Sequence, residues 1–204
     1  VILDPKRRVI HAPNFEDRGL HYAVSRWFEP IFERAHVDDT SACRPGKGGL
    51  AAVRRAQEHM RRFDWYGQCD IRAYFDSSDH ERLLGAIRRR FRGRRVRCER
   101  VVRSYRCSPG RGLPIGALTS QHFANLYMAR FYRFLAEQGD VRALVRYMDD
   151  TVWWALDRDA GRRSLDAARR FLIRELGLEL KAGAHVQRSA LGLRFCGTRV
   201  RRNG

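Results

Sequence analysis

Residues 146–154 read RYMDDTVWW and set two adjacent carboxylates, Asp149 and Asp150, inside an otherwise apolar stretch. The runs on either side, LVRYM (144–148) and TVWWAL (151–156), are rich in strand-forming residues. The pattern predicts a β-hairpin with both aspartates at its tip. Aspartates are common at turns because their side chains accept hydrogen bonds from turn amides, so a plain turn is the alternative.

A second predicted strand, WYGQCDI (65–71), also carries an aspartate, Asp70, near its end. Carboxylates held together on neighbouring strand ends repel one another, and their pKa values rise unless a cation lies between them. Mg²⁺ prefers such oxygen ligands, and a pair of ions can hold the attacking and leaving oxygens of a phosphoryl transfer. The three aspartates are therefore candidate metal ligands.

The chain is strongly basic, with 41 Lys and Arg against 23 Asp and Glu among 204 residues, a net charge of +18 and a pI of about 10.9. A compact body with this charge repels itself unless it meets a polyanion, which makes nucleic acid the leading partner. A solvated, arginine-rich surface without a partner is the alternative. The 44% of hydrophobic residues suffices for one or two packed cores.

The five cysteines are scattered and never spaced as CxxC, which favours reduced thiols in the cytoplasm over a zinc site or a disulfide framework. The sequence has neither a signal-peptide pattern nor an apolar run of about 18 residues, so we expect no secretion and no membrane contact. It opens on Val1 within what reads as a strand, which suggests a fragment.

Hydrophobic periodicity along the rest of the chain predicts a mixed α+β fold with an antiparallel sheet. Helices are predicted around 20–32, 50–63, 79–93, 95–106, 120–138 and 159–176. Further strands are predicted within 1–12, at 178–181 and within 191–200, and glycine-rich loops at 44–49 and 108–117.

Four segments in this order resemble the palm motifs of reverse transcriptases: DIRAYFD (70–76), GLPIGALTSQHFANLYM (112–128), YMDD (147–150) and LGLRFCGTRV (191–200). Their order and spacing carry the resemblance, which extends from Asp4 to Val200. The form LPIGALTSQ (113–121) is similar to that of the reverse transcriptases of diversity-generating retroelements. Two further segments, ACRPGKGG (42–49) and SSDHERLLGAI (77–87), resemble the same branch.

The resemblance implies a metal site and a nucleotide site. Asp70 and Asp149 would be the main metal ligands, assisted by Asp150 and the Ile71 carbonyl. The nucleotide site would comprise Arg8 (with Lys6 or Arg7), Tyr74, Phe75, Ile115, Gly116 and Gln121. Within it, the Phe75 ring would exclude a 2′-hydroxyl and Arg8 would reach the triphosphate. Without the motif, Phe75 would be read as a packed core residue and Arg8 as part of a solvated turn.

Other implied roles concern the template, the primer and a proton donor. Arg44 and Lys47 would contact the template, although a simple basic turn is an open alternative. Phe195, Cys196 and Gly197 would form the hairpin that grips the primer end. Lys181 would protonate pyrophosphate, although it lies slightly earlier than the lysine usual in the family, and His185 is the open alternative. Ile115 stands where most relatives have glutamine, which implies lower fidelity.

The implied fold is a right-hand polymerase palm, an antiparallel sheet backed by helices, with partial fingers and no thumb. The implied division is fingers at 1–63, palm at 64–77, fingers at 78–119, and palm with the primer-grip hairpin at 120–204.

The implied activity is that of an RNA-directed DNA polymerase, error-prone at template adenines, using two Mg²⁺ ions or Mn²⁺ in their place. RNA template, DNA or RNA primer and deoxynucleotides would be its partners, with a small basic accessory protein. The host would be bacterial, archaeal or viral (a phage), and the location cytoplasmic. The alternatives are another reverse transcriptase branch (a group II intron maturase, a retron or a phage-defence enzyme) and a truncated module that binds nucleic acid without catalysis.

Overall fold

The computed structural model of the chain describes residues 10–11, 13–34, 40–42, 44, 46–90 and 95–202, without the side chains of Phe32 and residues 95–97. The helices are α1 (Phe15–Glu33), α2 (Gly49–Arg62), α3 (Tyr74–Ser77), α4 (His80–Arg90), α5 (Arg95–Arg103), α6 (Leu118–Ala136) and α7 (Arg158–Phe171). The strands are β1 (Trp65–Cys69), β2 (Val141–Tyr147), β3 (Asp150–Ala155), β4 (His185–Arg188), β5 (Leu193–Phe195) and β6 (Thr198–Val200). A π-helical turn (Leu172–Leu176) continues α7.

The chain divides into two compact units, residues 1–36 with 73–127 and residues 37–72 with 128–204. The second unit is built on a four-stranded antiparallel sheet of order β2-β3-β1-β4, accompanied by the separate β5–β6 hairpin. The predicted fold class, α+β with an antiparallel sheet backed by helices, is therefore confirmed. The unit boundaries differ from the predicted segment boundaries, and the assignment to fingers and palm stays a prediction.

Strand alternation explains how the sheet of the second unit is covered on both faces. One face packs against α2 and the β5–β6 hairpin in a core that includes Met60, Trp154 and Phe195. On the other face the Trp153 indole donates to Ser164 Oγ of α7 at 2.7 Å. A Cβ on Gly67 would lie 2.4 Å from the Trp153 ring, so only glycine lets the indole cover β1.

The first unit combines α1, α3, α4, α5 and the first part of α6 with the loop that precedes it. His80 Nε2 lies 2.7 Å from the Gly112 carbonyl, and the Leu113 N–H donates to the Phe75 carbonyl at 2.9 Å. The Tyr74 hydroxyl donates to the Ala124 carbonyl. These bonds tie α3 and the start of α4 to α6 and to the loop that precedes it.

Two details of the predicted secondary structure are wrong. Residues 178–181 form no strand, apart from a single bridge between Ile71 and Leu180, whereas β4 occupies residues for which no strand is predicted. The sequence KAGAHVQ has little strand pattern, and β4 exists because β1 offers it a pairing edge. The strands predicted within 1–12 lie outside the described residues except at 10–11. None of the described helices is long and apolar enough to cross a bilayer.

Candidate active site

The predicted hairpin forms, and its two-residue turn carries the first aspartate of the pair. Tyr147 pairs with Asp150 across the turn, so Met148 and Asp149 form its tip. Met148 has φ +55°, in the left-handed region that residues other than glycine rarely adopt. Such a conformation persists only where its surroundings hold it.

Two side chains hold the Met148 carbonyl. Arg146 Nε donates to it at 2.7 Å and the Tyr132 hydroxyl at 3.0 Å. The Arg146 guanidinium is fully buried and lies 3.9 Å from the centre of the Tyr132 ring, which adds a cation–π contact. The residue immediately before Asp149 is therefore fixed from two directions.

Asp70 and Asp149 come together at this turn. β1 and β3 pair in register up to Cys69 and Thr151, and Asp70 follows β1 just as Asp149 precedes β3. Burial, followed by the hydrogen bond and charge of Asp70, raises the pKa of Asp149 to about 7. Because two carboxylates can share a hydrogen bond only when one is protonated, the pair binds either a proton or another cation.

Asp150 has different partners. Its Oδ1 accepts from Gln68 Nε2 at 3.0 Å, and its carboxylate accepts from the Cys196 backbone N–H. Burial raises the pKa of Asp150 to about 6, while these two hydrogen bonds act in the opposite direction. The second aspartate thus contacts the β5–β6 hairpin.

Lys181 lies beside the first carboxylate. Its Nζ forms an ion pair with Asp70 Oδ2, and its backbone N–H donates to the Asp70 carbonyl at 2.9 Å. The bridge between Ile71 and Leu180 belongs to the same short antiparallel contact. Lys181, which lies slightly earlier in the sequence than the lysine usual in the family, therefore reaches the Asp70 carboxylate.

The oxygen atoms at this position suit a hard divalent cation. Asp70 Oδ1 is buried and receives no hydrogen bond from the described residues, and Asp149 offers a second carboxylate beside it. Within the described ranges no three His, Cys, Asp or Glu side chains gather into a ready metal cluster, and Asp150 is engaged by Gln68. Asp70 and Asp149 are therefore the residues that would hold a cation first.

The predicted nucleotide-site residues that the structure describes lie in the first unit. Tyr74 is buried, Phe75 is half-buried with its ring centre 5.5 Å from that of Tyr74, and Gln121 is exposed. The half-buried Ile115 accepts a hydrogen bond from the His11 N–H at 2.8 Å through its carbonyl. Arg8 lies outside the described residues, as do Lys6 and Arg7.

Gly116 occupies a position that requires glycine. Its φ is +115°, and an added Cβ would lie 2.7 Å from Ile10 Cγ2. Glycine at this position thus lets residues 10 and 11 lie close to the loop before α6 within the first unit, and its role at the nucleotide stays a prediction.

The predicted template residues lie in the turn before α2. Arg44 Nη1 donates to the Thr40 carbonyl at 3.0 Å, and the Lys47 N–H donates to the Arg44 carbonyl at 3.2 Å. Arg44 therefore stabilises its own turn, as the basic-turn alternative expects, and a role in template binding stays a prediction.

The predicted primer-grip residues form the turn of the β5–β6 hairpin. Cys196 and Gly197 have φ of +51° and +75°, the pattern of a two-residue type I′ turn between Phe195 and Thr198. The Phe195 side chain is fully buried, so it anchors the hairpin in the core.

Sequence reasoning missed Gln68 and Arg146. Gln68 lies two residues before Asp70, and the strand period places both on one face, which was the available signal. Arg146 is a charged residue inside a run of strand formers. Its contact with the Met148 carbonyl depends on the fold, so the sequence carries no signal for it.

Comparison with known proteins agrees with this geometry. Residues 4–187 match the family model described as reverse transcriptase (RNA-dependent DNA polymerase). The group II intron-encoded protein LtrA of Lactococcus lactis subsp. cremoris is 23% identical over 141 residues, which make up 65% of this chain and 23% of LtrA. The chain thus spans about a quarter of the length of this curated relative.

Solved telomerase structures share the fold. Apo telomerase from Candida tropicalis aligns with a TM-score of 0.64 at 12% identity, over 91% of this chain and 39% of that one. Telomerase from Candida albicans, in complex with a fragment of telomeric RNA, aligns with a TM-score of 0.58 at 11% identity, over 90% of this chain and 36% of that one. At these identities the likeness shows the fold alone. The family match covers most of the chain, which therefore belongs to the reverse transcriptase (RNA-dependent DNA polymerase) family.

Proposed function

We propose that this chain catalyses RNA-directed DNA synthesis, the transfer of a deoxynucleotide onto a primer 3′-hydroxyl. The observation that carries the proposal is the meeting of Asp70 and Asp149 at adjacent strand ends, in a chain of this family. The net charge of +18 supports it, because the template and primer are polyanions.

Asp70 and Asp149 would hold two Mg²⁺ ions, or Mn²⁺ in their place, with help from Asp150 and the Ile71 carbonyl. When bound, the ions supply the positive charge that favours ionisation of the 3′-hydroxyl and departure of pyrophosphate. The fixed Met148 carbonyl keeps Asp149 in place for this role. Lys181, paired with Asp70, is our candidate donor of a proton to pyrophosphate.

The remaining residues would position the substrates. Phe75 would exclude the 2′-hydroxyl, and the Tyr74 amide and Arg8 would contact the triphosphate. Ile115 and Gly116, with Gln121 nearby, would lie against the incoming base pair. Arg44 and Lys47 would contact the template, and the turn at Cys196 and Gly197 the primer end.

Asp149→Asn tests the metal assignment, with Asp159→Asn on α7, an exposed carboxylate, as its matched control. We expect primer extension on an RNA template with Mg²⁺ to fall by about 10²–10⁴-fold in Asp149→Asn, because several kcal/mol of charge stabilisation is lost. Affinity for the primer–template should be retained, and Asp159→Asn should extend normally. Full activity in Asp149→Asn would overturn the assignment. A wild-type protein that binds nucleic acid but never extends it would favour the non-catalytic alternative.

Within the family, we propose the diversity-generating retroelement branch, with errors concentrated at template adenines. The support is the LPIGALTSQ form, in which the aliphatic Ile115 stands where most relatives have glutamine and would offer the nucleotide no polar contact. A small basic accessory protein would accompany the enzyme on its RNA. Similarity to a group II intron-encoded protein favours a maturase as the second candidate.

Sequencing the cDNA separates these branches. Misincorporation opposite adenine is expected for our choice, and an even error spectrum would favour the maturase. Ile115→Gln should reduce errors opposite adenine, and an unchanged spectrum would refute the role of Ile115.

A further inference from the structure

The outer edge of β5 is bonded to side chains. Alternate residues of a strand direct their backbone groups to the same side. The edge of β5 that faces away from β6 therefore carries backbone groups of Gly192, Arg194 and Cys196, in what we call the β5 segment (192–196). The Gly192 carbonyl accepts from the Tyr66 hydroxyl at 3.0 Å, and the Arg194 carbonyl accepts from Gln68 Nε2 at 2.8 Å. The Cys196 N–H donates to Asp150. Two carbonyls and one N–H on this edge are thus bonded by side chains of β1 and β3.

Strand geometry explains why the bonds match. Tyr66 and Gln68 are two residues apart on one face of β1, as Gly192 and Arg194 are along the β5 segment. A rise of about 3.3 Å per residue gives both pairs the same spacing of roughly 7 Å.

Gln68 joins this edge of β5 to Asp150, which directly follows the turn between β2 and β3. Its amide nitrogen has two hydrogens, and one reaches the Arg194 carbonyl while the other reaches Asp150 Oδ1 at 3.0 Å. The Arg194 carbonyl and the ionised Asp150 carboxylate can only accept hydrogen bonds. The amide nitrogen of Gln68, and not its oxygen, therefore faces them. Asp150 in turn accepts from Cys196, the turn residue with φ of +51°.

We propose that Gln68 is a positioning residue. By bridging Asp150 and the Arg194 carbonyl, it fixes the β5–β6 hairpin (193–200) against β1 and β3. The proposal rests on the proposed function, in which this hairpin holds the primer end. Gln68 then sets the distance between the primer 3′-hydroxyl and the carboxylates. Tyr66, whose bond reaches the hairpin further from the turn, supports the strand without this role.

Gln68→Met tests the proposal, because methionine has a similar length and no donor. Tyr66→Phe is its matched control, since it removes one bond to the same segment and leaves Asp150 bonded. Two measurements on the complete protein apply: hydrogen exchange of the Cys196 amide, and single-turnover extension at varied primer–template and deoxynucleotide concentrations.

In Gln68→Met we expect faster Cys196 exchange and about tenfold weaker use of the primer–template, the equivalent of one hydrogen bond. The KM for deoxynucleotide should be unchanged. Tyr66→Phe should extend primers like the wild type.

Several outcomes would overturn the proposal. Normal extension by Gln68→Met would do so, as would equal losses in both variants, which would show only general support of the hairpin. If Gln68→Met fails to fold, Gln68→Asn, which keeps the amide but is too short to bridge, replaces it under the same criteria. If the wild type never extends a primer, the proposed function fails by itself, and unchanged Cys196 exchange in Gln68→Met would separately refute the bridge.

Discussion

Asp149→Asn should stabilise the protein at pH 8 when chelator removes divalent metal. Burial and the neighbouring Asp70 raise the pKa of Asp149 from 3.8 to about 7. A carboxyl whose pKa is raised by folding stabilises the native state fully below its unfolded pKa, and loses that contribution as the pH rises through the folded pKa. The wild type should therefore lose the contribution of Asp149 to the free energy of unfolding between about pH 4 and pH 7. The variant has no carboxyl at this position and should show no such loss.

The magnitude follows from the shift. Three pKa units correspond to about 4 kcal/mol at about 1.36 kcal/mol each, which is an upper bound for the gain at pH 8. The asparagine is itself half-buried and its amide needs partners, so we expect a net gain of about 1–3 kcal/mol. For a chain of this size each kcal/mol moves Tm by about 2–4 °C, which gives a rise of roughly 2–12 °C.

Thermal unfolding in EDTA at pH 4 and pH 8 measures the effect as a difference between variant and wild type. Burial lowers the pKa of His21 and of His122, and their titration cancels in this difference because both proteins contain them. Mg²⁺ at pH 8 should raise the Tm of the wild type more than that of the variant. A variant less stable than the wild type at pH 8 without metal, or a difference equal at both pH values, would refute the reasoning.

Two further substitutions probe the support of the site. Gly67→Ala should lower the free energy of unfolding by about 1–3 kcal/mol, because its Cβ would lie 2.4 Å from the Trp153 ring. The control Gly139→Ala meets nothing within 4 Å and should be neutral. Equal effects of the two substitutions in thermal unfolding would contradict this. Arg146→Lys keeps the charge but loses the Nε bond to the Met148 carbonyl, and we expect a loss of about 1–3 kcal/mol in denaturant unfolding. An unchanged midpoint would show that the arginine does not hold the turn.

The hairpin and its carboxylates were predictable because their signals are local. Apolar runs flank Asp149 and Asp150, and strand alternation does not depend on distant residues. The approach of Asp70 was a hypothesis from its place at a strand end, and the pairing of β1 with β3 brings it there.

Contacts made across long sequence separations were not predictable in the same way. Lys181 reaches Asp70 from 111 residues away through a bridge that has no strand pattern. Gln68 bonds the Arg194 backbone 126 residues later, and backbone atoms leave no trace in the amino-acid pattern. Such contacts are set by how the strands pack, which local propensity does not encode.

The bonded edge of β5 also bears on how the protein behaves at high concentration. A strand edge with unsatisfied carbonyls can recruit a strand of another molecule and begin aggregation. Tyr66 and Gln68 occupy the carbonyls of Gly192 and Arg194, so this edge offers no template for intermolecular pairing at those two positions. The side chains that tie the hairpin down therefore also help to keep copies of the protein apart.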